Sequence, residues 1–98
     1  MVNWYIDKSK IHGFGVFSSK KYNVNEFVDI AIDNNNNITY FGSMINHSFN
    51  PNVKLVFDGV LRCYYVYSIK VIYTGEEIVA NYNQDTPYFI KKANPQWK

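Results

Sequence analysis

What this sequence holds little of sets the first limits on it. Cys63 is the single cysteine, which excludes an internal disulfide and any multi-cysteine zinc site. It falls in an alternating stretch, where a buried structural thiol is expected and a nucleophile is not. His12 and His47 are the only histidines. Without a cysteine pair near either, a metal ligand set is hard to assemble, and no metal is expected. No apolar run is long enough to span a bilayer and no leader is evident, so an intracellular soluble protein without membrane contact is the expectation. The formal net charge is only +2 and basic residues never form a long block. Direct nucleic-acid binding is therefore not expected, and a small aromatic β-barrel stacking on single strands is a weak reading.

What the chain does contain is apolar and aromatic. Its 98 residues suffice for one small domain, 1–98, with a marginal core. Nearly half of them (47%) are apolar and nine are tyrosine, which argues for a folded globule rich in strands. "WYID", "VF" after two glycines, and "NEFVDIAID" read as successive strands. The run Asn34–Asn37 reads as a loop, because asparagine tolerates left-handed backbone and bonds its own main chain. "VKLVF" and "VLRCYYVYS" flank Asp58-Gly59, which predicts a hairpin with a two-residue type I′ turn. "IKVIYTGEEIVANYN" adds another apolar run, a Thr-Gly turn and a last strand. Helical signal is confined to the end, where Thr86 and Pro87 open "YFIKKA". No internal repeat is visible.

Three short motifs carry polar or glycine residues in positions that need explaining. "HGFGVF", from His12 to Phe17, lets the backbone turn sharply and approach a ligand, but it lacks the third glycine and helix of a dinucleotide loop. "INHSFNPN", from Ile45 to Asn52, sets two amides, an imidazole and a hydroxyl between an apolar approach and a strand. Taken alone it is a turn, and no G-x-S-x-G elbow supports a hydrolase. "TGEEIVANY", from Thr74 to Tyr82, reads singly as a turn and an edge strand with its glutamates in solvent.

Taken in order, Gly13-Phe14-Gly15, Asn46-His47-Ser48 with Pro51-Asn52, and Gly75-Glu76-Glu77-Ile78 with Tyr82 resemble the SET domain family of protein lysine methyltransferases. The closest likeness is to minimal viral or bacterial members without flanking pre-SET and post-SET domains. The resemblance implies a mostly-β fold of small curled sheets with a C-terminal pseudoknot, which would set "INHS" beside "ANY". It implies S-adenosylmethionine as cofactor, held by Gly13, Phe14, Gly15, Asn46, His47 and Tyr82. It makes Tyr82 the catalytic tyrosine, with Tyr40, Tyr88 and Phe89 as candidates for the substrate channel. The implied activity is S-adenosylmethionine-dependent lysine N-methylation of a basic protein such as a histone tail. The alternative is a catalytically weak SET-like module that binds a basic peptide. A viral member would work in the host nucleus or cytoplasm, a bacterial one in the cytoplasm.

The sequence departs from the family pattern in four places. The insert before "NHS" shrinks to "DIAIDNNNNITYFG", where no helix is expected. The post-SET cysteines are missing, Phe49 stands where a cysteine is frequent, and Ala80 replaces a bulky residue. A groove missing one wall and many exposed aromatics together lead to the expectation of a homo-oligomer.

Overall fold

The computed structural model describes residues 2–81. The sequence expectations for the end of the chain, namely the Thr86-capped helix, the basic tail and the threading of the pseudoknot, lie outside the described residues. Within them the chain forms β1 (Trp4–Lys8), β2 (Phe14–Ser18), β3 (Phe27–Ile32), α1 (Tyr40–Met44), β4 (Asn46–His47), β5 (Val53–Asp58), β6 (Cys63–Ser68) and β7 (Glu77–Ala80). The fold is mostly β, as expected, and consists of two small open sheets. One has the order β1-β2-β7-β4, the other β3-β6-β5. All neighbours are antiparallel except β4 and β7, which run parallel with Asn46 opposite Val79 and His47 opposite Ala80. The last strand is thus inserted between β2 and β4. "INHS" and the start of "ANY" lie side by side, as the resemblance implied. Register shifts in β3, between Phe27 and Asp29 and between Ile30 and Ile32, help curl the second sheet.

Four connections carry the chain between the sheets among the described residues, and two of them are near-copies of each other. Ser18 to Glu26 leaves β2 for β3, and Ser68 to Glu76 leaves β6 for β7. Tyr22 and Ile72, both fully buried, exchange backbone hydrogen bonds of 2.8 and 2.9 Å. Ser18 N–H donates to Glu76 O as Ser68 N–H donates to Glu26 O, each at 2.9 Å. Asn25 N–H donates to Ser68 O as Gly75 N–H donates to Ser18 O, each at 2.8 Å, and Asn25 and Gly75 both adopt positive φ. Even the glutamates correspond: Glu26 accepts from Asn23 N–H and Glu76 from Tyr73 N–H. This is an internal repeat with a spacing of fifty residues, where the sequence suggested none. Only serine, lysine and glutamate recur at matching positions (Ser18/Ser68, Lys20/Lys70, Glu26/Glu76), too few to stand out by eye.

The core lies between the sheets and gathers Val16, Tyr22, Ile45, Val66, Ile72 and Ile78. Two local expectations need correction. The Asp58-Gly59 turn is not a two-residue type I′ turn, because the ladder closes at Asp58 opposite Cys63 and leaves a four-residue loop. Asp58 Oδ1 accepts from Val60 and Leu61 N–H, Asp58 O accepts from Arg62 N–H, and Arg62 takes the left-handed backbone that glycine was expected to supply. A helix does form in the shortened insert. Thr39 caps it, accepting from Gly42 N–H at 3.0 Å while its own hydroxyl donates to Ile30 O at 2.6 Å.

That single turn of helix sits flat on β3 because residue 42 has no side chain. A Cβ there would run into the backbone carbonyl of Ala31. Phe41 is buried beside it, with Trp4 packed against its ring at 5.1 Å between centroids. Gly42→Ala is accordingly expected to lower the unfolding free energy by about 1–3 kcal/mol, the usual cost of overpacking. Urea denaturation of the two proteins measures it; an unchanged midpoint would mean that α1 can lift off β3 freely.

Candidate functional site

The loop from Ser9 to Gly13 joins β1 to β2 and carries the first glycine of the G-x-G motif. Its shape is set from below by β7 and β4. Ser9 N–H donates to Gly13 O at 2.8 Å, while Ser9 Oγ accepts from Ile11 N–H at 2.9 Å and from His12 N–H at 3.3 Å. The same hydroxyl donates to the Glu77 carboxylate, lying 2.8 and 2.9 Å from its two oxygens. Asn46 completes the clamp. Its amide nitrogen lies 3.0 Å from both His12 O and Phe14 O and 2.9 Å from Glu77 Oε2. One buried amide thereby holds the G-x-G loop, β4 and β7 together, and it does so through charge-assisted and backbone bonds.

Both glycines of the motif have a physical reason here. Gly13 has φ +50° and faces open space. Gly15 lies directly over the clamp, where a Cβ would collide with Glu77 Oε2 and sit 2.9 Å from the Asn46 nitrogen. Phe14 between them is 57% exposed, so its ring is not part of the core. The loop presents main chain and an aromatic ring outward above an acidic, oxygen-rich floor.

The remainder of "INHSFNPN" supports the shelf formed by the G-x-G loop and the Asn46–Glu77 clamp beneath it. His47 is fully buried in β4, with the ring of Phe49 edge-on at 4.3 Å and 83°. Phe49, in the position where family members often carry cysteine, is itself half exposed. Ser48 N–H donates to Ala80 O and Ser48 Oγ accepts from Asn50 N–H. Asn52 bonds β7 with both ends of its amide: Oδ1 accepts from Val79 N–H at 2.9 Å and Nδ2 donates to Glu77 O at 2.8 Å. A side chain here takes the place of a peptide group from a neighbouring strand.

Asn52 and Glu77 stand in the sequence motifs without having been given a role in the site, and Ser9 was not singled out at all. Of the two glutamates expected in solvent, Glu76 is exposed and closes the turn, whereas Glu77 points inward under the loop. The signal that separates them is parity: Glu77 and Val79 share one side of β7, Ile78 and Ala80 the other. Nothing local marks Ser9.

Placement of the other expected residues is mixed. Gly13, Phe14, Gly15 and Asn46 come together, and His47 follows Asn46 on β4. Tyr40 sits on α1, 64% exposed, with its ring 6.3 Å from that of Trp4. Tyr82, Tyr88 and Phe89 lie outside the described residues. Cys63 is buried in β6, as expected. Among the described residues no group of three or more histidine, cysteine or acidic side chains could hold a metal ion. No helix among them is long and apolar enough to cross a membrane. A separate hollow of about 390 Å³ lies between the asparagine loop and the hairpin tip, lined by Asn34, Asn36, Phe57, Arg62 and Tyr64, and shares no residue with the shelf.

A two-sheet β domain with a glycine loop clamped over an asparagine and a glutamate defines the class, and the comparisons supply its family. The chain belongs to the SET domain family, whose model matches residues 5–83. A similar solved structure is that of a Plasmodium falciparum protein provisionally assigned as a histone methyltransferase. It is 24% identical, with a TM-score of 0.69 over 87% of this chain and 96% of that one. At that identity the likeness shows the fold. No protein of curated function matches the chain by sequence.

Two outcomes follow from the clamp and from the buried imidazole. Gly15→Ala drives a methyl group into the Glu77 carboxylate, and should destabilise the domain by about 1–3 kcal/mol in urea titrations. A Gly15→Ala variant as stable as the parent would show that the loop floor yields. Burial holds the His47 imidazole below the ordinary histidine range, so the folded state favours its neutral form. The unfolded chain keeps a value of about 6.5 and binds a proton that the folded chain resists. Stability is therefore expected to fall as pH drops below about 6.5 toward the lower folded value, and to gain nothing from this group above it. His47→Gln should flatten that part of the unfolding profile between pH 8 and 5; an unaltered slope would remove His47 as its source.

Proposed function

We propose that this chain is a protein lysine N-methyltransferase that uses S-adenosylmethionine, with a lysine of a basic protein, such as a histone tail, as acceptor. The observation that carries the reading is the Asn46 clamp. Its amide nitrogen is already engaged by three acceptors, so what Asn46 offers a ligand is its carbonyl oxygen. Around it stand the carbonyls of His12 and Phe14 and the Glu77 carboxylate, an oxygen set suited to a cationic ammonium group. The amino-acid portion of S-adenosylmethionine carries such a group, and the exposed main chain of Gly13 to Gly15 flanks it. The residues present fit the cofactor.

When bound, the cofactor supplies a methyl group on a positively charged sulfur, ready for transfer to a nucleophile. The protein's own tasks are then to hold, to align and to keep water away. Gly13, Phe14 and Gly15 bind through main chain, and Asn46 orients the ammonium end. His47 keeps β4 in register with β7, so that Ala80 and the chain beyond it start from a fixed position. A lysine side chain is protonated at neutral pH, with an ordinary pKa of about 10.4, and only its neutral form can accept a methyl group. Enclosure among apolar and aromatic groups shifts it that way by penalising the charge. Tyr82, one residue past Asn81, is proposed to orient the amine through its hydroxyl. Holding nitrogen, carbon and sulfur in line is the largest share of the task, because positioning alone can supply several kcal/mol.

The test is transfer of a labelled methyl group from S-adenosylmethionine to a panel of basic proteins and peptides, with cofactor affinity measured by calorimetry. Asn46→Ala is expected to weaken cofactor binding about tenfold or more, the scale of one charge-assisted hydrogen bond. Tyr82→Phe should leave binding within a few-fold and lower the transfer rate roughly 10²–10³-fold. Cofactor binding without any transfer, or no cofactor binding at all, would turn the assignment toward a SET-shaped module that only holds a basic peptide.

A further inference from the structure

The β3-β6-β5 sheet ends on an uncovered strand. β5 pairs with β6 on one side, and on its other side no described residue bonds its main chain. Ladder parity fixes which groups point that way. Ile69 N–H donates to Asn52 O, so these two residues mark a hydrogen-bonded pair. Lys54 with Tyr67, Val56 with Tyr65 and Asp58 with Cys63 follow it in alternate steps along the ladder. The N–H and C=O groups of Leu55 and Phe57 therefore point away from β6, into the open edge. Such a row of unpaired groups is a template for one further strand.

The side chains select what that strand can be. Lys54, Val56 and Asp58 share the outer face of β5, while Leu55 is buried on the inner face and Phe57, further along, is 55% exposed. Lys54 is exposed and has no hydrogen bond or ion pair with any described residue. The Asp58 carboxylate uses only Oδ1, on Val60 and Leu61 N–H. A second copy related by a two-fold axis would lie antiparallel to the first, and parity admits only registers that set outward-pointing residues opposite one another. With the axis at Val56, Leu55 faces Phe57 of the second copy, and their main-chain groups exchange hydrogen bonds. The same register sets Lys54 opposite Asp58 of the second copy, once on each side of the axis, with the two Val56 side chains between.

This self-complementarity is particular to one register and one edge. An axis at Leu55 or at Phe57 keeps the main-chain bonds but sets Lys54 and Asp58 against uncharged residues. β1, which ends the other sheet, has its two charged residues, Asp7 and Lys8, adjacent and so on opposite faces. No symmetric pairing of β1 brings one against the other. Opposite charges directly across an antiparallel pair favour it, and like charges there oppose it. We propose that β5 is the seam of a homodimer, in which two copies pair antiparallel about Val56 and their sheets join in the order β3-β6-β5-β5-β6-β3. The join covers Phe57 and gives Lys54 the partner that its own chain does not. It lies on the sheet that does not carry the Asn46–Glu77 clamp, and the inference does not rest on the methyl-transfer reading. Exposed ion pairs and a short strand contact each contribute little, so the association is reversible and weakened by salt.

The experiment follows the full chain over a concentration series by analytical ultracentrifugation, with amide hydrogen exchange read by NMR at both ends of the series. The mass is expected to rise from one chain to two and no further. The Leu55 and Phe57 amides should exchange slowly only where the dimer is present, whereas those of Lys54 and Val56, already bonded to β6, should change less. Lys54→Glu sets like charges across both ends of the seam and should weaken association about tenfold or more, while Lys54→Arg should keep it. The parent protein's exchange pattern decides the matter even where the glutamate variant folds poorly. A monomer mass at every concentration, or a Lys54→Glu protein that dimerises as the parent does, would overturn the proposal. So would Leu55 and Phe57 amides already protected in the monomer, which would mean that the chain closes its own edge. Growth beyond two chains would replace the two-fold seam with an open, head-to-tail contact and overturn it equally.

Discussion

The mutual hydrogen bonding of Tyr22 and Ile72 is the constraint on which the rest of this small domain depends. Each residue sits midway along a segment that crosses from one sheet to the other, and the two segments run in opposite senses. Had they been unpaired, each crossing would leave buried peptide groups without partners, at a cost of a few kcal/mol per group. Instead each satisfies the other. A domain of this size cannot rely on a deep core, and the crossing lets a thin layer of buried Val, Ile and Tyr close two sheets. Glu26 and Glu76 then stop each segment with the same turn, so β3 and β7 start at matching heights.

The clamped glycine loop inherits its position from this arrangement. Once Glu76 has closed its turn, Glu77 is the next residue of β7 and faces the β1–β2 loop. Its carboxylate meets Ser9, and Asn46 reaches the same point from β4 across the parallel ladder. Asn52 secures the other end of β7 by acting as a peptide surrogate. Two segments far apart in the chain, the loop at Ser9 and the stretch from Asn46 to Asn52, thus converge on one strand of four residues. Polar residues of "INHSFNPN" such as Asn46, Ser48 and Asn52 are tolerated there because they find partners in the chain itself.

Much of this is legible in the residues alone. Alternation in "VKLVF" and "CYYVYS" marks β5 and β6 with few errors, because a strand with one buried face writes its period into the sequence. The order of the three motifs points to the site. What could not be read was anything that depends on a long-range partner. Asp58-Gly59 looks like a tight turn, but the aspartate carboxylate organises a wider loop and passes the left-handed position to Arg62. The one-turn helix at Tyr40 has no periodicity to reveal it and exists because Thr39 caps it and Gly42 fits against Ala31. Glu77 and Ser9 are ordinary polar residues until the fold sets them 68 positions apart in the chain yet within hydrogen-bond reach. The repeat was invisible because it is carried by main-chain bonds, which almost any side chain permits.

The asparagine loop shows how the domain can change in size without changing its architecture. Its ends are closed on themselves: Asp33 N–H donates to Asn37 O, Asp33 O accepts from Asn36 N–H, and the Asp33 carboxylate accepts from Asn35 and Asn37 N–H. Ile38 bridges back to Ile32, and Thr39 N–H is tied to Ala31 O, so β3 and α1 are anchored below the loop. Whatever is spliced between Asn34 and Asn36 is therefore mechanically insulated from the shelf. Loop closure adds only about 0.6 kcal/mol for each doubling of length, so even a whole folded module could be grafted there at little thermodynamic cost. The tip of this loop is a natural port for building additional walls, partners or sensors onto a minimal frame.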